Sequence, residues 1–500
     1  MIELHYEVAD HWPALAWLAK CDVATGRVSI VHGSGVDTYK TWFAEAVWNG
    51  VFSEGRLDET DVVFGSGARI REDGSLVFVS SASVSDRLQH YHDGTTTWVS
   101  NSLVCLISQI RSSTDVCCDN YFKFFESVVR GIDDYDRELA MTGRNNIELT
   151  YWRNLHWENG ALKRFDKPFV VHDVSSYKSY YSTMVSLLGQ LRENMDDPIR
   201  HNSLSLLSTV SSGYDSTAIT VLAREVGLGE TLSFKQSRDG LHDDGAKVSR
   251  MLGLKPTSID SNAWRKQSLA EVPFIASDAK GEDVYFTGAA SVLRARVLLT
   301  GYGGSAMWGR TEGLGNRLRR TDQSGLSHTE HRLWAGYLHA PIGQLMFDQA
   351  DDLRALTNSS EMQKWDIEGG YSKPICRRIV EEAGIAREQF AQKKQAASIL
   401  LFDRNSFLCS ESRADFDQWC QDNLAQGGAT LETVRQGMLE PARFLARGVR
   451  KLAARAERLA NVGVLQRVKE SPRLAEFANY ESRFELLFPW ALERAIARYQ

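Results

Sequence analysis

Ser208-Thr209-Val210-Ser211-Ser212-Gly213-Tyr214-Asp215-Ser216-Thr217 is the stretch on which the reading of this chain turns. It closes a short apolar run, Ser203 to Val210, and opens a helix expected over Ser216 to Val226, with small residues where the chain must bend tightly. Backbone N–H groups at such a bend and at the following helix N-terminus converge on one point, where the helix dipole favours negative charge. Ser211, Ser212 and Ser216 add hydroxyl donors, so a phosphate or pyrophosphate is the expected guest. Asp215 would repel a phosphate unless a cation stood between them, and its expected role is that of a magnesium ligand. The string is not a Walker loop, because no Lys followed by Ser or Thr comes after its glycine. A structural glycine turn with coincidental serines is the competing reading; the strand-turn-helix context favours phosphate.

Outward from this loop, Leu232 to Lys235 reads as a second strand, Asp244 to Leu252 as a helix and Arg296 to Thr300 as a further strand, with a helix at Tyr177 to Met195 upstream. Strands alternating with helices indicate an α/β fold with a doubly wound parallel sheet. Beyond residue 310 the chain reads almost wholly as helix. Before residue 170 it carries short β-prone runs separated by Asp73-Gly74, Asp93-Gly94 and Asn159-Gly160, dipeptides that supply the positive φ angles of hairpin turns. Amphipathic spacing at Leu103 to Ile110 and Tyr121 to Val129 adds helices, giving an α+β unit. Three domains are expected, over 1–172, 173–430 and 431–500.

The whole of the chain, 500 residues, exceeds one hydrophobic core, and 43% hydrophobic with 24% charged residues is ordinary globular composition. A net charge of -6 gives no global pull toward nucleic acid or anionic lipid. No apolar stretch is long enough for a membrane span, and Glu3, Glu7 and Asp10 lack the order of a signal peptide, so a cytoplasmic protein is expected. Cys21, Cys105, Cys117, Cys118, Cys376, Cys409 and Cys420 form no C-x-x-C pair and read as free thiols. The basic stretch from Pro441 to Lys469 reads as a solvated face.

Ser211 to Ser216 resembles the Ser-Gly-Gly-x-Asp-Ser loop of the ATP pyrophosphatases, and further motifs resemble the asparagine synthetase branch, which includes β-lactam synthetases and lasso-peptide cyclases. Leu232 to Lys235 is similar to that family's second strand, whose backbone holds adenine at the position of Phe234; Asp243-Asp244 with Ala246-Lys247-Val248 is similar to its Asp-Glu-x-x-x-Ala helix start. Thr300-Gly301-Tyr302-Gly303-Gly304 resembles the Ser-Gly-x-Gly loop. Lys373-Pro374-Ile375-Cys376-Arg377-Arg378, followed by Phe390-Ala391-Gln392-Lys393-Lys394, resembles the segment that bears a catalytic lysine. More weakly, Asp86-Arg87-Leu88 and Trp98 to Leu103 resemble remnants of the family's glutaminase (Ntn-type) domain, without its N-terminal cysteine nucleophile: Met1 is followed by Ile2, and Cys21 lies too far inside.

The resemblance implies an AMP-forming ligase that uses ATP and Mg2+, adenylates a small-molecule or peptide carboxylate and forms an amide with an amine or ammonia, without glutamine hydrolysis. Ser211, Ser212, Gly213, Tyr214, Asp215, Ser216, Phe234, Gly301 and Gly303 are then the nucleotide-binding residues, Asp215 the metal ligand, and Lys394 or Lys393 the cation that stabilises the oxyanion. No nucleic-acid or membrane partner is expected, and a homodimer is allowed. The family's loop continues into an Asp-Glu pair where this chain has Ser305 and Ala306, so one metal ligand is missing; the alternative is a degenerate homologue that serves as a binding or scaffold protein. Asp243 and Asp244 read equally well as a helix cap or as a metal or substrate contact. Lys393 and Lys394 in isolation would read as a solvated pair. His328, His331 and His339, like His90 and His92, lack a third ligand in register; Trp308, Trp334 and Tyr337 read as core or pocket lining.

Overall fold

A computed structural model describes residues 2–110, 121–141, 146–158, 160–310, 323–367, 372–390, 395–399, 407–424 and 485–500, with scattered positions between 442 and 452. The fold is mixed α/β, with three sheets among the described residues. Two of them lie in the first third of the chain. The seven-stranded sheet runs, in spatial order, Leu4–Val8, Val28–His32, Trp17–Asp22, Thr96–Ser100, Arg87–His92, Ile147–Tyr151 and Glu138–Leu139. The six-stranded sheet runs Ala161–Phe165, Asn154–Glu158, Leu76–Val79, Val63–Ile70, Trp42–Trp48 and Asp37–Thr38. Pairing is antiparallel throughout except for Leu4–Val8 beside Val28–His32.

Side chains alternate across each strand, and this sends Trp17, Ala19 and Cys21 of one sheet against Phe43, Ala68 and Phe78 of the other. The Trp17 ring meets Phe43 edge-on at 5.0 Å and stacks on Phe78 at 6.2 Å, so the sheets pack face to face. The hairpin signals hold where they were read: Ile70 pairs with Leu76, His92 with Thr97 and Glu158 with Ala161, and Gly74, Gly94 and Gly160 all have positive φ.

The third sheet is parallel and five-stranded. Its strands are β1 (Ser205–Thr209), β2 (Glu230–Phe234), β3 (Lys255–Ile259), β4 (Arg296–Thr300) and β5 (Leu338–Pro341), in the order β3-β2-β1-β4-β5. Leu206 and Leu207 of β1 and Val297 to Leu299 of β4 are buried, the continuous apolar run of a strand covered on both faces. Helix α1 (Tyr177–Met195) precedes the sheet, capped by Ser176; α2 (Tyr214–Arg224) links β1 to β2 and α3 (Ala246–Met251) links β2 to β3. Helix α4 (His328–Ala335) enters β5, and α5 (Pro374–Glu382) packs on α2.

The reading of the chain beyond residue 310 as almost wholly helical leaves out β5, the fifth strand of this sheet. Only four residues long and fully buried, Leu-His-Ala-Pro shows no period-two alternation by which a strand is recognised. The seven basic residues read between Pro441 and Lys469, along with Cys117 and Cys118, lie outside the described residues. Cys21, Cys105, Cys376, Cys409 and Cys420 are buried free thiols. No described helix is long and apolar enough to cross a membrane.

One buried ion network joins the antiparallel sheets to the parallel one. Arg332 on α4 donates through Nη1 and Nη2 to the two carboxylate oxygens of Glu45, at 2.7 and 3.1 Å, and through Nε to Asp86 at 3.0 Å. Two residues earlier, Glu330 accepts from the Ser102 hydroxyl at 2.7 Å and from Tyr499. Asp86 and the Ser102 region, singled out in the sequence, thus hold the two layers together.

Candidate active site

In the order β3-β2-β1-β4-β5 the chain reverses its direction of travel between β1 and β4, and a doubly wound sheet opens a crevice at that switch point, past the carboxyl ends of its strands. A cavity of about 260 Å³ lies there, lined by residues from both loops: Thr209 to Ser211 and Gly213 to Ser216 after β1, and Thr300 to Gly303 with Ser305 after β4. Gly301 lets the loops touch, since a Cβ there would stand 2.8 Å from both Asp215 Cβ and the Ser216 amide nitrogen. Gly303 turns the second loop with φ +84°, a conformation that favours glycine.

Several donors of the first loop are partnered within the chain. Ser211 N–H donates to Ser216 Oγ at 3.2 Å, Gly213 N–H to Ser211 Oγ at 3.1 Å, and Thr217 Oγ1 ties the bend to Gly213 O at 2.8 Å. Ser212 gives both its amide (3.1 Å) and its hydroxyl (2.5 Å) to Asp243 Oδ1. An oxyanion is therefore bound at this bend already, and it belongs to Asp243. Burial pushes that carboxyl above its ordinary range, against the pull of the Ser212 donors. Asp244, beside the start of α3, accepts from the Ala246 amide at 2.9 Å and from Ser258 Oγ at 3.0 Å.

The opposite wall is apolar and aromatic. Phe234, at the end of β2, meets Tyr285 edge-on at 4.7 Å and Phe286 at 5.0 Å, and all three line the cavity with Leu232. Tyr285 and Tyr302 face each other with hydroxyls 3.0 Å apart, and Tyr302 donates to Asp283 Oδ1 at 2.8 Å. Asp283 also accepts from Ser327 Oγ and the Gly325 amide. Burial holds both phenols well above their usual range, so they remain protonated donors at neutral pH. Tyr302 lies within a recognisable loop, but Tyr285 sits in the 3-10 segment Val284–Ala289, which carries no motif.

Lys373 is the cationic side chain among the described residues that line the cavity. It directly precedes Pro374, the first residue of α5, whose ring fixes the helix start. From there its ammonium reaches Asp215 Oδ1 at 2.7 Å, Oδ2 at 2.8 Å and Ser305 Oγ at 2.9 Å. Ser305 Oγ in turn donates to Asp215 Oδ2 at 3.3 Å. These contacts give Asp215 a partner within the chain in place of the expected metal. Both of its oxygens are taken by an ammonium, the facing side chain is a serine, and no described cluster of three His, Cys, Asp or Glu side chains is placed to hold a metal. The residues present do not fit a divalent ion.

Of the other candidates, Ser211, Gly213, Tyr214, Asp215, Ser216, Phe234, Gly301 and Gly303 all line the cavity, whereas Ser212 is turned to Asp243. Lys393 and Lys394 lie outside the described residues; residues 395–398, next along the chain, line the cavity. Arg377 is buried, donates to the Tyr214 hydroxyl and lies over the rings of Tyr214 and Phe390. Trp308 donates to the Tyr180 hydroxyl at 2.8 Å and Tyr337 is bonded to His328, both within the core, whereas half-buried Trp334 donates to Glu330 and lines a separate cavity; none of the three lines this one. His328 and His339 likewise bond Tyr337 and Thr300. Compared with known proteins, the chain matches no family model and no curated protein.

Proposed function

We propose that this chain is an ATP-dependent, AMP-forming carbon-nitrogen ligase of asparagine synthetase-like type, cytoplasmic and independent of glutamine hydrolysis. One observation carries the reading: the loops after β1 and β4, 90 residues apart in sequence, meet around a single cavity at the switch point, with an apolar wall at Phe234. In this reading adenine rests against Phe234 and Leu232, and the phosphates lie along the bend at Ser211 to Ser216, displacing the Asp243 carboxylate from Ser212. The layer over residues 1–172 serves as a scaffold derived from a glutaminase-like unit, and its face-to-face sheets support that origin.

A substrate carboxylate oxygen attacks the α-phosphorus, the bond to the β-phosphate oxygen breaks, and pyrophosphate leaves. The amine nitrogen then adds to the acyl carbon, the resulting oxyanion collapses to expel AMP, and the nitrogen loses a proton. Positioning and charge neutralisation supply most of the acceleration in such a displacement. Lys373 stands beside the phosphates, and Lys394 or Lys393 is assigned the oxyanion, next to the lining segment 395–398.

A specific observation favours a second reading, a binding or scaffold protein of the same descent: the chain's own side chains already neutralise the bend and Asp215. Labelled ATP incubated with a panel of carboxylic acids and amines separates the two. A ligase releases AMP and pyrophosphate in equal amounts only when its acid is present. Release of ADP and phosphate would overturn the ligase reading, and nucleotide binding without turnover across a broad panel would favour the scaffold.

A further inference from the structure

We infer that Lys373 takes the place of a divalent cation, so that this site holds a nucleotide polyphosphate without metal. The inference rests on the nucleotide reading above and goes beyond it. Charge balance is the first argument. A loop pair with two aspartates needs a divalent ion to be neutral, whereas Asp215 facing Ser305 carries one charge fewer, and a single ammonium balances it.

Geometry is the second. The Lys373 side chain is only 9% exposed, and Nζ lies within 2.9 Å of all three oxygens that would have faced the metal. An ammonium has three donors, and here they go to Asp215 Oδ1, Asp215 Oδ2 and Ser305 Oγ. The Ser305 contact is to a neutral hydroxyl, and a phosphate oxygen exchanges for it at a gain, because its negative charge adds Coulomb attraction to the ammonium that a hydroxyl lacks. Asp215 then orients the ammonium instead of ligating an ion. Cys376 Sγ, 3.9 Å from Asp215 Oδ1, closes the far side as a protonated thiol, since burial raises it well above its usual range.

The test is calorimetric titration of the full chain with ATP and with pyrophosphate, each in EDTA and in excess Mg2+. Binding of both probes in EDTA, with affinity within about threefold of that in Mg2+, is expected, since the protein supplies the cation. Lys373→Met should lose at least about tenfold in EDTA, the loss of one charge-assisted bond, and Ser305→Asp should make binding depend on Mg2+. Binding only in Mg2+ would overturn this inference and leave the nucleotide reading standing. Absence of binding in both buffers would overturn both. A circular-dichroism spectrum and melt of each variant shows whether it is folded, and the wild-type comparison stands without them.

Discussion

Gly301→Ala probes the contact on which the site depends. Gly301 follows β4, and the space its Cβ would need is held by Asp215 Cβ and the Ser216 amide, both at 2.8 Å. Ordinary contact begins at 3.4 Å, so the two loops must separate by about 0.6 Å along that line. The neighbours are backbone and a Cβ fixed to it, and neither swings away as a flexible side chain would. Overpacking of this kind costs about 1–3 kcal/mol, a visible fall in the urea midpoint of unfolding. Separating the loops also pulls Asp215 from Ser305, so ATP and pyrophosphate affinity should fall by about tenfold or more, as a displaced charge-assisted contact requires. Gly229→Ala is the matched control. Gly229 is exposed and nothing lies within 4 Å of its added Cβ, so the change should be neutral or stabilise by up to about 1 kcal/mol. A Gly301→Ala protein that keeps both the midpoint and the affinity of the parent would refute the claim that the two loops form one site.

Other outcomes follow from the packing around that site. Arg332→Met removes the partner of two buried carboxylates, Glu45 and Asp86, and should destabilise the chain by about 3–5 kcal/mol in chemical denaturation; Arg332→Lys should rescue only part of this, since an ammonium cannot copy the fork to Glu45. Asp278 is buried, with Oδ1 accepting amides from Lys280 and Gly281 and Oδ2 accepting no hydrogen bond, and burial pushes it up to about 6. Between 3.8 and about 6 the folded form therefore holds more protons than the unfolded one, and this group's contribution to stability falls as pH rises through that window. Asp278→Asn should be more stable than the parent at pH 8, by up to about 3 kcal/mol, and lose the advantage at pH 4, as read by thermal unfolding across pH. Trp308→Phe breaks the bond to Tyr180 and leaves that hydroxyl buried, and should cost about 1–3 kcal/mol with little effect on nucleotide affinity.

The parts of this fold that announce themselves in the sequence do so through local chemistry. Asp73-Gly74 and Asp93-Gly94 mark hairpins because a positive φ is a property of the residue itself, and the bend at Ser211 to Ser216 is legible because small residues interrupt an apolar run. Helix α1 could be placed from its Ser176 cap and apolar spacing. What stayed hidden depends on distance along the chain. Lys373 lies 158 residues from Asp215, and no spacing rule brings a lysine onto a distant aspartate; the motif around Pro374 located the segment without assigning its ammonium. Asp243 read as a cap or a ligand because only the folded β2 and its following turn carry it to Ser212. Strand β5 was missed because it is only four residues long and buried at every position, His339 included, so no alternation of exposure marks it as a strand. Arg332 carried no sequence signal at all, as an arginine on a helix reads as surface until its carboxylates arrive from another layer.

Hydrogen exchange of the backbone, measured by mass spectrometry with and without saturating ATP, addresses the central claim most directly. Slowed exchange should appear at two separated peptides, one spanning 209–217 and the other 300–306, with the strongest effect at the amides of the bend once Asp243 is displaced from Ser212. Bound ATP that protects neither peptide, or that protects a surface remote from the ends of β1 and β4, would contradict the account.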